Sequence, residues 1–268
     1  MSPRLNIPLG SLVAATILAF LWLAAPAIAH FGMVIPSAPT VMETANSDLT
    51  VELKFWHPFE NNGMNLVKPK SLQVFTADGP TDVLASIKEV KQDGFTTWSL
   101  PYKIARPGLY SFVMEPQPYW EPEEDCFIIH YTKAYVDAYG DDEGWNEPLG
   151  LKTEIVPLAK PGGQYAGNVF TGRVLLDGKA VNSGEVEIEW YPGPTLAGVA
   201  PYETMITQVV LTDENGLFHF SPTAPGWWGF AALNTADYKL PQDGAQKDVE
   251  LGAVLWIYFH EFKPAVKK

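Results

Sequence analysis

The chain has 268 residues, of which 47% are hydrophobic and 13% aromatic, and a formal net charge of −13 at pH 7. That is apolar material for one large core or two modest ones, with length favouring two units, while the acidity argues against nucleic acid and other polyanions and favours cations as partners. Cys126 is the single cysteine, so an intrachain disulfide, a disulfide scaffold and a thiolate zinc site are excluded on count.

Residues 1–29 carry Arg4, then the apolar stretch "SLVAATILAFLWLAA", then Pro26 and the small-x-small triplet Ala27-Ile28-Ala29. This is the layout of a secretory signal, and cleavage after Ala29 makes His30 the first residue of the mature chain. The alternative is an uncleaved membrane anchor, since the apolar residues from Ile7 to Ala29 approach the roughly 20 needed to span a bilayer. No later segment is a long apolar run, so the remainder reads as an exported soluble protein.

Beyond the leader, 23 prolines and 22 glycines are spread throughout and no long helical period appears, which predicts an all-β chain of short strands joined by turns. "LTVELKFW", "SLQVFTA", "GLYSFVMEP" and "TKAYVDAY" alternate as half-buried strands. Between Tyr139 and Gly167 the acidic, Gly- and Pro-rich phrases "GDDEGWNEPLG" and "AKPGGQYAG" suit a connection between two sandwiches. The expected organisation is a signal peptide over 1–29, a β-sandwich of immunoglobulin or cupredoxin type over 30–160 holding the metal site, and a second β-sandwich over 161–268. In the second unit, "VFTGRVLLDGKAVNSGEVEIEW" and "TQVVLTDENGLFHFSPTAPGWWGFAAL" place hairpin turns at Asp177-Gly178 and Asn215-Gly216. This half resembles the prealbumin-type sandwich of carboxypeptidase-regulatory-like and surface-repeat modules, which implies a structural or binding role. The last strand, "AVLWIYFHEF", sets Leu255, Ile257 and Phe259 on one face and Trp256, Tyr258 and His260 on the other.

No nucleophile elbow, phosphate-cradling glycine loop, H-E-x-x-H motif or EF-hand loop is present, so no enzyme is expected. What remains is a set of five histidines. Once freed, His30 owns an imidazole and an α-amino group, which together chelate one ion in a six-membered ring; the amine, with a reference pKa of about 7.7–8.0, yields its proton readily to a metal. The bland reading is that the protease cut before whatever residue came next. His57 ends a strand because Pro58 cannot continue a central ladder, which places it at a loop mouth as a ligand or as a histidine satisfied by backbone. Glu60, three residues on, reaches the imidazole or the ion; Met33 and Met64 offer sulfur or pack in the core. His130, in "DCFIIHYTKAY", stands in a strand buried on both faces, where it either ligates or is hydrogen-bonded internally. His260 is a ligand or an interdomain contact, and His219 points to solvent between Phe218 and Phe220. Cys126 is expected to be buried and inert. The acidic runs 121–125 and 139–144 lack ligand spacing and read as solvated loops, and Tyr119, Trp120 and Trp145 are either a binding surface or packing.

The phrases "HFGMVIPS", "FWHPFE", "HYTKAYV", "GLKTEIVPLAKP…YAGNVFTGRVLLDGKAV" and "TDENGLFHFSPTAPGWWGFAAL" together resemble the DUF4198 family across essentially the whole mature chain. Within that family the chain is similar to the additional periplasmic components of bacterial nickel and cobalt energy-coupling-factor transporters. The resemblance implies a periplasmic protein that captures Ni2+ or Co2+ and presents it to the membrane subunits of such an ABC transporter. It carries over His30 and His57 as ligands; His130, Glu60 and His260 join them on chemical grounds alone. Imidazole and amine nitrogens suit nickel, but under the Irving–Williams order they hold Cu2+ more tightly. The competing readings are therefore a copper carrier or oxidative copper enzyme with an N-terminal histidine site, and an exported adhesion or scaffold module whose histidines are structural.

Overall fold

The computed structural model describes residues 30–265. The leader over 1–29 lies outside them. Among the described residues no helix is long and apolar enough to cross a membrane.

The chain is all-β, and its sandwiches share a sheet. Phe31–Pro36, Asp48–His57, Phe95–Lys103 and Lys88–Gln92 form one sheet in that order, with Asn62–Met64 added beside the end of Asp48–His57. Above it lies a 10-stranded sheet running Gln208–Leu211, Glu185–Tyr191, Gly226–Thr235, Val249–Phe259, Cys126–Ala138, Gly108–Glu115, Ser71–Thr76 and Gly79–Asp82, with Tyr119–Glu121 and Thr40–Val41 attached to Cys126–Ala138. Thr153–Pro157, Phe170–Leu176, Lys179–Ala180 and Leu217–Phe220 make a smaller sheet on its other side. The halves meet where Cys126–Ala138 pairs in parallel with Val249–Phe259, from Phe127 opposite Val249 to Ala134 opposite Trp256. Thr153–Pro157 already pairs with Phe170–Leu176, so the smaller sheet begins before residue 160.

The two periods of Val249–Phe259 explain this layering. Val254 and Trp256 enter the core against the first sheet, whereas Ala253, Leu255, Ile257 and Phe259 enter the core against the smaller one. A strand covered on both faces reads as a nearly continuous apolar run rather than a strict alternation. Cys126–Ala138 is built the same way, with Ile128, Ala134 and Val136 facing the first core and Tyr135 the second. The Asp177-Gly178 hairpin has positive φ at both residues, 51° and 71°, as a two-residue type I′ turn requires. Asn215-Gly216 differs, because only Gly216 is left-handed there, at 75°, closing a turn from Asp213 through a 3.0 Å backbone bond.

Candidate functional site

Strand register brings His30 and His57 together. Phe31 stands opposite Trp56 and Gly32 opposite Phe55 in the antiparallel pair. One step further along that register His30 faces His57, and cross-strand neighbours on one face approach closely. Their ring centroids are 4.6 Å apart and inclined at 53°. Phe55 flanks His30 as a stacked ring at 5.5 Å, with Tyr119 at 6.2 Å. His57 is buried at 7% exposure, and its strand stops there, ahead of Pro58, as expected.

The opposite wall belongs to the 10-stranded sheet. Glu121, whose strand pairs with the start of Cys126–Ala138, places Oε2 3.1 Å from His30 Nε2. Burial first, then the imidazoles of His57 and His130, pushes the His30 pKa down to about 3. The pocket therefore favours the neutral imidazole, the form that binds metal, at neutral pH.

His130 adjoins this pair with both ring nitrogens engaged. Gly32 N–H donates to its Nδ1 at 3.2 Å, and Nε2 stands 3.3 Å from Glu250 Oε1. Since Nδ1 accepts a backbone bond, the proton of the neutral ring resides on Nε2, facing the carboxylate. The outer edge of Phe31–Pro36 would otherwise leave Gly32 unpaired; His130 takes its N–H, and Trp256 Nε1–H donates to its carbonyl at 2.8 Å. Gly252 makes room for the ring, because a Cβ there would lie 2.2 Å from His130 Cδ2. The two readings of His130 thus meet an imidazole that joins the sheets beside the His30–His57 pair.

Other candidates fall elsewhere. His260 follows the strand in which Gly252 faces His130, eight residues on, or about 26 Å along an extended chain. Its ring neighbours are Tyr258 and Tyr165. Glu60 is exposed on the 58–61 loop, where its charge acts on Glu189. That loop is docked on the second half by Phe59 N–H to Glu189 Oε2 at 3.2 Å and Gly198 N–H to Phe59 O at 2.6 Å. Met33 is fully buried across from Lys54, on the face away from Gly32, whereas Met64 stands beside Phe55. His219 is exposed and bonded to Thr171 Oγ1 at 2.8 Å. Trp120 packs against Phe127.

Two sequence expectations are corrected. Glu121 is a buried strand residue at 6% exposure, not part of a solvated loop, because Tyr119–Glu121 pairs with Cys126–Ile128. Its only sequence signal is the Tyr-Trp pair just ahead of the acidic run. Cys126 is half-buried rather than buried, though burial, Glu250 and Glu124 raise its thiol pKa to about 12, leaving it protonated and unreactive.

Among the described residues, no group of three His, Cys, Asp or Glu side chains is gathered as a ready-made metal cluster. The side chains present offer a close imidazole pair with an adjoining carboxylate.

The chain belongs to the DUF4198 family, a domain of unknown function whose model matches residues 27–236. No curated protein matches it. Among solved structures it is similar to the D0-D1 domain of intimin, at 13% identity and TM-score 0.24, over 86% of this chain and 100% of that one. The Yersinia pseudotuberculosis adhesin InvE gives 12% identity and TM-score 0.23, over 83% of this chain and 58% of that one. Trypsin-activated alpha-2-macroglobulin from Escherichia coli gives 11% and 0.25, over 87% and 16%. Scores this low carry no functional argument, and the all-β class stands on the strand pairing described above.

Proposed function

We propose that this protein is an exported, non-catalytic metal carrier in which His30, as the mature N-terminus, and His57 capture Ni2+ or Co2+ in the periplasm for delivery to the membrane subunits of an energy-coupling-factor transporter. The observation that carries the reading is the cross-strand approach of the two imidazoles, 4.6 Å between centroids, at the residue directly behind the cleavage signature. Membership of DUF4198 is consistent with it. The His30 amine and Nδ1 close one chelate ring, and His57 adds a third nitrogen from the facing strand.

A second reading has its own support. His130 has both ring nitrogens engaged, so on this reading the donors are nitrogens of His30 and His57, and an all-nitrogen set of that kind intrinsically holds Cu2+ more tightly than Ni2+. A copper carrier or oxidative copper enzyme is therefore the rival.

The test is a competition titration of nickel, cobalt and copper on mature protein whose first residue is confirmed by mass, beside a form with one residue added ahead of His30. Tight stoichiometric binding that the extension abolishes supports a carrier. Indifference to the extension overturns it and leaves an exported scaffold. Consumption of a reductant by oxygen on the copper form favours the enzyme.

A further inference from the structure

We infer that Glu121 is the positioning residue of this site: its Oε2 holds the Nε2–H of His30 and so presents the opposite ring nitrogen, Nδ1, to the metal. The inference rests on the metal-carrier reading and adds to it a residue on the facing sheet.

Glu121 is suited to the task because neither its backbone nor its carboxylate is loose. Its strand pairs with the start of Cys126–Ala138, with Glu121 opposite Cys126. Oε1 accepts the backbone N–H of Glu123 at 3.0 Å, which fixes the plane of the carboxylate. The remaining oxygen, Oε2, points across the gap between the sheets to His30 Nε2 at 3.1 Å. At 6% exposure the residue has little water to compete for that oxygen.

The two nitrogens of an N-terminal histidine are not equivalent. Only Nδ1 closes a six-membered ring with the α-amine through Cα, Cβ and Cγ; Nε2 lies on the far side of the imidazole. An ion bound by amine and Nδ1 and a carboxylate bound to Nε2–H therefore use opposite edges of one ring without competing. Carboxylates that accept the outer N–H of a ligating imidazole fix its orientation and raise its basicity, and their loss typically costs 10–100-fold in metal affinity. His130 has no such free edge, since its Nδ1 takes the Gly32 N–H and its Nε2 faces Glu250.

The experiment compares mature wild-type protein with Glu121→Gln and Glu121→Leu. Proton–nitrogen NMR of the metal-free forms reads the His30 Nε2–H, and titration with Ni2+ reads affinity. A slowly exchanging Nε2–H in the wild type, lost in Glu121→Leu together with about 10–100-fold of affinity, supports the inference. Glu121→Gln, whose amide oxygen still accepts a hydrogen bond but is a poor ligand, should retain most of both. If Glu121→Leu leaves the ring signal or the affinity unchanged, Glu121 does not position His30. If Glu121→Gln loses as much affinity as Glu121→Leu while keeping the ring signal, Glu121 is itself a ligand and the positioning role is overturned. Wild-type protein that binds no ion removes the carrier reading and this inference with it, an outcome separate from any difference among the variants.

Discussion

The rings of His30 and His57 lie 4.6 Å apart because His30 directly precedes Phe31 and His57 directly follows Trp56, the antiparallel partner of Phe31, so their approach follows from backbone register. A shift of one residue would turn one of the two imidazoles to the other face of the sheet. Phe55, next on the same face, packs against His30, Tyr119 and His130 at 5.5, 5.0 and 5.8 Å between centroids, and so holds the pair against the opposite sheet.

Removing either imidazole should abolish tight metal binding without unfolding the protein. His57→Ala is expected to weaken Ni2+ binding at least 100-fold, whereas His219→Ala and His260→Ala, far from the pair, should leave it within about twofold; removing one donor of a nitrogen chelate costs far more than removing a distant residue. Isothermal titration on the four proteins checks this, with far-ultraviolet dichroism as the control for folding.

How much of this was legible in the sequence differs residue by residue. The strand ending at His57 was written in the Trp-His-Pro triplet, and burial of Cys126–Ala138 on both faces in its unbroken apolar run. Each of those is a local signal. The convergence of His30 on His57 is a register, which no local pattern encodes. The shared 10-stranded sheet was equally hidden, because it depends on parallel pairing between strands more than 110 residues apart in the chain. Glu121 was lost for a different reason: a run of charges is normally solvated, and only its place opposite Cys126 draws the first of them inward. His260 and Glu60 had suitable chemistry, but the strand direction carries one away from the site and the loop after Pro58 turns the other toward Glu189.

Gly252 should resist substitution. A Cβ at that position would meet the His130 ring at 2.2 Å, and the ring is anchored by Gly32 on one side and Glu250 on the other. Gly252→Ala is therefore expected to cost about 1–3 kcal/mol as overpacking and to lower metal affinity by disturbing the edge strand that carries His30. Thermal melting with and without nickel measures both effects.

Glu187 gives stability a pH dependence of defined sign. Burial and the carboxylates of Glu250, Glu189, Glu124 and Glu185 push its pKa from the ordinary 4.5 up to about 8, so the folded protein holds it protonated at neutral pH. A raised folded value means that its stabilising contribution is full below about pH 4.5 and is lost as pH climbs through about 8. Glu187→Gln should match the wild type near pH 4 and exceed it by on the order of 2 kcal/mol at pH 9, the shift being discounted for partial exposure. Urea unfolding across that range decides it; equal stability of the two proteins at pH 9 would refute the assignment.

The pair Lys133–Glu154 ties the shared sheet to the smaller one, and its dissection should be strongly non-additive. Lys133, at 1% exposure, places Nζ 2.7 Å from Glu154 Oε2, and Glu154 also accepts the N–H groups of Leu149 and Gly150 at 3.1 and 2.9 Å. Taking away one partner leaves the other charge buried without compensation, so Glu154→Ala should cost about 3–5 kcal/mol. Replacing both with apolar residues of similar volume removes that penalty, because Leu149 and Gly150 are open enough for water to take over their N–H groups. The double variant Lys133→Met, Glu154→Leu should therefore be more stable than Glu154→Ala, and a double-mutant cycle in urea gives the coupling directly. A coupling near zero would mean that the two side chains act independently, which a 2.7 Å contact between two fully buried charges does not allow.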